Sequence, residues 1–142
     1  MKQLQFLIKP AAGHCNMRCH YCFYRDEQQN CTDTEDYMMS LATAETLIRR
    51  CFAELDKGGF VSFAFQGGEP TLAGLDFFRF FTQTVQKYNQ KRVTVQYAIQ
   101  TNGLAVTEEW AEFFSKDHFL VGISLDGTPD VHDALRPDAQ GN

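Results

Sequence analysis

The sequence has little of several things, and each scarcity narrows what the chain can be. No apolar stretch approaches the roughly 20 residues needed to cross a bilayer. The opening run, LQFLI, is interrupted at once by Lys9 and Pro10, too early for a secretory signal. Positive charge is in deficit: thirteen Lys and Arg face eighteen Asp and Glu, a net charge of −5. That balance leaves no electrostatic footprint for nucleic acid or for an anionic membrane. Low-complexity segments, internal repeats and linkers are missing too, so one domain, or a piece of one, is expected over residues 1–142. These absences point to a cytosolic protein, where thiols stay reduced. Five cysteines, three of them inside the ten residues CNMRCHYCFY, then indicate metal chemistry rather than disulfides.

What is present is ordinary globular material, 44% hydrophobic and 22% charged. LQFLIKP reads as a strand. From Ser40 to Asp56, Leu41, Ala44, Leu47, Ile48, Cys51, Phe52 and Leu55 recur at helical spacing, with Ser40 as cap and Gly58–Gly59 as stop. FVSFAF is a second strand, and a helix from Asp76 to Gln90 shows Phe78, Phe81, Val85 and Tyr88 on one face. VTVQYAIQ is a third strand. Thr107 is placed to cap a short helix carrying Trp110, Phe113 and Phe114, and FLVGISL is a fourth strand. Strand and helix alternate, which predicts an α/β fold with a parallel sheet, its strands apolar enough for burial on both faces. A closed (β/α) barrel typically takes about 250 residues, so a TIM-like barrel cut short after about four βα units is expected. Its last strand would leave a free edge, since the sequence stops at PDAQGN where a further helix is due.

Each unusual signature follows a strand, and ligands of parallel α/β folds bind at the carboxyl ends of strands. After the first come Cys15, Cys19 and Cys22, spaced C-x3-C-x2-C, a pattern able to hold three corners of a cubane [4Fe–4S] cluster and leave one iron open for a chelating small molecule. The same thiols fit a Cys3His zinc site completed by His14 or His20, and a disulfide or idle buried cysteines are the remaining alternatives. After the second come Gly67, Gly68, Glu69 and Pro70, in which glycines let backbone approach a ligand and Glu69 offers a carboxylate to an ammonium group. A simple turn with a solvated Glu is the plainer alternative. Thr101-Asn102-Gly103 and Ser124-Leu125-Asp126-Gly127 are by default turns, though strand alternation can aim Ser124 or Asp126 into the mouth. Phe23 and Tyr24 can pack on a purine or close the core. Cys51 reads as core, and no role is assigned to Cys31, His118 or His132.

C-x3-C-x2-C after the first strand, with Gly-Gly-Glu-Pro after the second, resembles the radical S-adenosylmethionine enzymes. LIKPAAGHCNMRCHYCFY, SFAFQGGEPTLAG, QTNG and FLVGISLDG together resemble the anaerobic sulfatase-maturating branch over nearly the whole chain. The resemblance implies a partial radical-SAM barrel. It implies a [4Fe–4S] cluster on Cys15, Cys19 and Cys22, chelated at its open iron by S-adenosylmethionine. Gly67, Gly68 and Glu69 would hold the amino group, Ser124 would lie near the cofactor, Phe23 or Tyr24 near its adenine, and Arg136 at its carboxylate. One-electron cleavage of the sulfonium would yield a radical that takes hydrogen from a Cys or Ser of a sulfatase, leading to Cα-formylglycine. The implied partners are a sulfatase polypeptide and an electron donor such as flavodoxin or ferredoxin. Full-length relatives continue into the rest of the barrel and a SPASM-type region with auxiliary clusters. The catalytic base belongs to that remainder, so no catalytic residue is expected in this chain. The rivals are another radical enzyme that modifies peptides and a non-catalytic zinc module.

Overall fold

Four strands, β1 (Gln3–Ile8), β2 (Phe60–Phe65), β3 (Thr94–Thr101) and β4 (Leu120–Ile123), lie side by side in chain order as one parallel sheet. Among the described residues, helices α1 (Leu41–Glu54), α2 (Leu75–Tyr88), α3 (Glu108–Lys116) and α4 (Pro129–Leu135) intervene or follow, with a 3-10 turn at Pro70–Ala73. This computed structural model describes residues 2–25 and 37–142, so Cys31 lies outside the described residues.

The register shows why the sheet has one dry face. Phe6, Phe63 and Tyr97 stand in one row across β1, β2 and β3, and Ile8, Phe65, Ile99 and Val121 in the next. Successive side chains point to opposite faces, so these rows share the face on which the helices pack. There Phe63 meets Phe81 edge-on at 5.1 Å, Phe65 meets Phe78 at 4.9 Å, and Tyr97 stacks on Phe119 at 4.9 Å. Ala44, Ile48 and Phe52 of α1 and Trp110, Phe113 and Phe114 of α3 complete this core. Aromatic pairs of this kind contribute about 0.5–1.5 kcal/mol each beyond their burial.

The other face corrects the expectation of burial on both sides. Its rows are Gln5–Ser62–Gln96 and Leu7–Ala64–Ala98–Leu120, and Leu7 and Leu120 are 61% and 65% exposed. The strands only look continuously apolar because Ala and Leu alternate with aromatics. A shallow cavity of about 320 Å³ lies over Ala64, Ala98 and Gly122 on this side.

The helix ends follow side-chain chemistry. Ser40 Oγ accepts from Thr43 N at 3.1 Å and starts α1. At its other end Lys91 Nζ donates to the carbonyls of Phe52, Ala53 and Leu55 at 3.0, 3.1 and 2.7 Å. A cation bonded to the last carbonyls is thus the stop, and Gly58 turns the chain only afterwards. Thr107 precedes α3 as expected, yet its side chain makes no capping bond. β4 is shorter than FLVGISL implied, and α4 was not anticipated. None of α4's residues is buried, so no apolar stripe announces it.

Candidate functional site at the carboxyl edge of the sheet

After β1 the chain turns at Lys9–Ala12 and then runs extended, so alternate side chains share a face. Met17 and Cys19 are buried whereas Arg18 between them and His20 after them are exposed. Cys15, Met17 and Cys19 accordingly line one cavity of about 350 Å³, with Tyr21, Cys22, Phe23 and Tyr24 joining as the chain curls. Gly67, Gly68 and Glu69 line it from the end of β2, Gln100, Thr101 and Asn102 from β3, Ser124 from β4, and Arg136 from beyond α4. Every residue singled out for the cluster or for S-adenosylmethionine therefore lines this one cavity.

The glycine loop closes against the cysteine loop. A Cβ on Gly68 would stand 2.0 Å from the His14 carbonyl oxygen, and one on Gly67, whose φ is +119°, 2.6 Å from that of Ala12. Only glycine fits either position. The approach lets Gly68 N donate to Ala12 O at 2.9 Å and Glu69 N to His14 O at 2.7 Å. These N–H groups thus bind the neighbouring loop rather than face the cavity.

Glu69 also differs from the expected rim acceptor. It is 1% exposed. Oε1 accepts from Thr71 N at 3.2 Å, Thr71 Oγ1 at 2.7 Å and Thr101 Oγ1 at 2.7 Å, while Oε2 accepts from Asn102 N at 2.8 Å. Three of the four donors converge on Oε1, whereas Oε2 accepts from Asn102 N alone among the described residues and keeps an acceptor position open. Its charge braces the end of β2 to the end of β3.

Asn102, in what reads as a plain turn, extends the brace to the cysteines. Its Nδ2 donates to Asn16 Oδ1 at 2.8 Å and lies 3.6 Å from Cys15 Sγ, on which Met17 N also donates at 3.3 Å. Ser124 Oγ accepts from Gln100 Nε2 at 2.8 Å. Burial pushes the Cys15 thiol up, against the Met17 bond that pulls it down; burial likewise raises Cys19, against the Arg136 charge. Such thiols keep their protons until a metal takes the sulfur.

Sequence reasoning passed over Tyr21. Its hydroxyl donates to Asp126 Oδ2 and accepts from Arg136 Nη1, and Arg136 stands 3.6 Å from Asp126. It stands in the turn closed by Cys22 N on Cys19 O at 3.2 Å, a position that strand periodicity does not mark.

The comparisons with known proteins now bear on this cavity. The family model of the radical SAM superfamily matches residues 11–140. The chain belongs to the radical SAM superfamily. Its members use a [4Fe–4S] cluster and S-adenosylmethionine. Among curated relatives, a cysteine-type anaerobic sulfatase-maturating enzyme of Clostridium novyi is 52% identical over 98% of this chain and 37% of its own length. A serine-type anaerobic sulfatase-maturating enzyme of Klebsiella aerogenes is 35% identical over 95% of this chain and 32% of its own length. A solved structure described as native anSMEcpe with bound AdoMet and Cp18Cys peptide superposes with a TM-score of 0.85. It is 40% identical, covering 96% of this chain and 35% of that one. The chain thus spans little more than a third of the length of the relatives it matches.

Two observations test whether the radical SAM cofactors suit this cavity. The Nε of Arg136 is buried with no hydrogen-bond partner among the described residues, an orphaned cationic donor in the wall of a cavity lined by three thiols. And among the described residues no three His, Cys, Asp or Glu side chains gather tightly enough to hold a single ion. Thiolates on separate corners of a cubane stand farther apart than thiolates about 2.3 Å from one zinc. Of the two donors offered for the zinc alternative, His14 stacks on Tyr37 at 3.5 Å and His20 is exposed. The donor set fits the cluster.

Proposed function

We propose that residues 1–142 are the cofactor-binding, N-terminal part of an anaerobic sulfatase-maturating enzyme, the rest of the barrel and an auxiliary-cluster domain lying outside them. What carries the reading is the convergence of Cys15, Cys19 and Cys22 with the Gly67–Gly68 loop on one cavity of about 350 Å³. Relatives named as the cysteine type are 52% and 42% identical, against 35% for a serine-type one, which favours a sulfatase cysteine as the target.

Cys15, Cys19 and Cys22 hold the cluster in this reading, and Gly67–Gly68 backbone and Ser124 hold S-adenosylmethionine. When bound, the pair supplies one-electron, hydrogen-abstracting chemistry that converts a sulfatase Cys or Ser to Cα-formylglycine. The chain's own residues do the rest. Met17 N–H and the Asn102 amide steady the Cys15 sulfur. Glu69, held by its four donors, fixes the spacing between the glycine loop and Asn102. Gln100 orients the Ser124 hydroxyl. Phe23 and Tyr24, with ring centres 4.1 Å apart, line the cavity, with adenine as the ring they would face. The general base and the auxiliary clusters belong to the remaining length. Electrons come from a small donor protein of the flavodoxin or ferredoxin kind.

Anaerobic reconstitution tests the cofactor part. The expected product is brown, carries about four irons per chain, and changes its spectrum when S-adenosylmethionine is added. Colourless protein with one zinc would refute it. Cys19→Ala should lose the intact cluster. The substrate part is tested on the complete polypeptide: formylglycine should appear in a cysteine-type sulfatase peptide, and turnover of unrelated peptides only would assign the protein to another radical SAM maturase.

A further inference from the structure

Backbone pairing sets Arg136 against Cys19. Arg18 N donates to Pro137 O at 2.9 Å, His20 N to Leu135 O at 2.9 Å and Ala139 N to Asn16 O at 3.0 Å, and Met17 bridges Asp138 in an antiparallel sense. The residue numbers of each pair sum to a constant, so the residue opposite Cys19 is Arg136. Met17–Asp138 is the non-hydrogen-bonded kind of antiparallel pair, and Cys19–Arg136, two residues on, has the same parity. The bridge itself is Met17–Asp138; Arg136, at the end of α4, lies near enough to Cys19 for its charge to pull the thiol down against burial. Pro137 lacks an N–H, so the ladder cannot close its next bond there, and the alignment is carried by its neighbours.

Two further observations fix what this arginine does. Its guanidinium is gripped from one side, by the Tyr21 hydroxyl and by Asp126 at 3.6 Å, with the Tyr21 ring 5.8 Å from its centre. And although only 11% of the side chain is exposed, its Nε has no acceptor among the described residues. An unused donor on a held, buried cation is an electrostatic resource for an anionic occupant of the cavity. A cluster held by three thiolates is such an occupant.

We propose that Arg136 is a positioning residue for the cysteine-ligated cluster: docked opposite Cys19 and clamped by Tyr21 and Asp126, it keeps a positive charge beside the cluster, turns its Nε–H to a sulfur, and raises the cluster's reduction potential. The proposal rests on the cluster reading given above. It departs from the expectation that Arg136 serves the carboxylate of S-adenosylmethionine, because the pairing sets the arginine beside a ligand sulfur. Positive charge beside a redox centre favours its reduced, more negative form, and loss of that charge lowers the potential.

The test is a redox titration followed by electron paramagnetic resonance on anaerobically reconstituted protein without S-adenosylmethionine. At the ambient potential where the unaltered chain is half reduced, Arg136→Gln should show about tenfold less reduced relative to oxidised cluster, a shift of about 59 mV for one electron. Arg136→Lys, which keeps the charge without the fork, should recover most of the difference. Tyr21→Phe, which removes one clamp and no charge, should shift in the same direction by less. Equal midpoints in all four proteins at equal iron content would overturn the proposal. So would an unshifted Arg136→Gln that binds S-adenosylmethionine more weakly, for the arginine would then serve the carboxylate. Should Arg136→Gln fail to keep its iron, Arg136→Lys and Tyr21→Phe decide. An unaltered chain that takes up no cluster defeats the functional reading itself, an outcome distinct from a loaded chain with an unshifted variant.

Discussion

On the helix-packed face of the sheet, Phe63, Phe65, Phe78 and Phe81 touch one another edge to face and are at most 1% exposed. At the ends of the same strands, Glu69 is equally buried, yet its neighbours are two threonine hydroxyls and two backbone N–H groups. Both sets of side chains are buried, although the second also borders the cavity. They differ in what a small error costs. Apolar contacts are non-directional, so the aromatic layer tolerates swaps of similar volume. A buried carboxylate needs donors at set places, and any one missing leaves a polar group unpaired. The first region sets how firmly the chain folds, whereas the second sets how accurately the rim loops are spaced.

Substitutions can break this contrast or sharpen it. Phe81→Ala should have the largest effect, about 3–5 kcal/mol in urea-induced unfolding, from lost burial and the cavity left behind. Iron bound per folded molecule should not change; a fall in it would couple the two regions. Glu69→Ala should cost about 2–3 kcal/mol, because Thr71 N and Asn102 N lose their acceptor. Here the loss should extend to ligand binding at the rim, with weaker S-adenosylmethionine binding to the reconstituted chain. Wild-type affinity in that variant would show that the brace does not space the loops.

A smaller effect belongs to Cys51, on the apolar side of α1. Burial pushes its thiol from 9.0 up to about 11. The folded chain therefore keeps a proton that the unfolded chain releases. Its contribution is fully present below about pH 9 and is lost as pH rises through about 11. Denaturation curves across that range should be flatter for Cys51→Ala, and a slope identical to the unaltered chain's would remove the thiol from the account. Least of all should follow from Arg79→Ala. It breaks exposed pairs with Asp76 and Glu109 at 3.2 and 2.7 Å and should leave the urea midpoint unmoved. A clear drop would mean that the groove between α2 and α3 is less solvated than its exposure implies.

Much of the fold was legible because periodicity is a local property. Aromatic and aliphatic residues every three or four positions announced α1 and α2 to within two residues at either end, and for α3 they marked the start after Thr107 and the three aromatics it carries. The strands were found as apolar runs, though their open face was misread, since Ala64, Ala98 and Leu7 are apolar without being covered. α4 went unnoticed for the complementary reason: Val131 and Leu135 stay exposed and mark no buried stripe. At the site, the cysteine spacing and the glycine pair stood out, and Glu69 was read as a rim carboxylate for an ammonium group. Its true partners, Thr101 and Asn102, are 32 and 33 positions away.

From composition and spacing alone came the alternation of strand and helix, three thiols on one loop, and the placement of each polar signature after a strand. Those are properties of neighbours in the chain, carried by backbone periods of 2 and about 3.6 residues. Contact between distant segments settled the remainder: that Glu69 turns inward, that Asn102 reaches the Cys15 sulfur, and that Arg136 stands opposite Cys19. Each of these depends on the register between strands or loops, which long-range packing sets and no local pattern encodes.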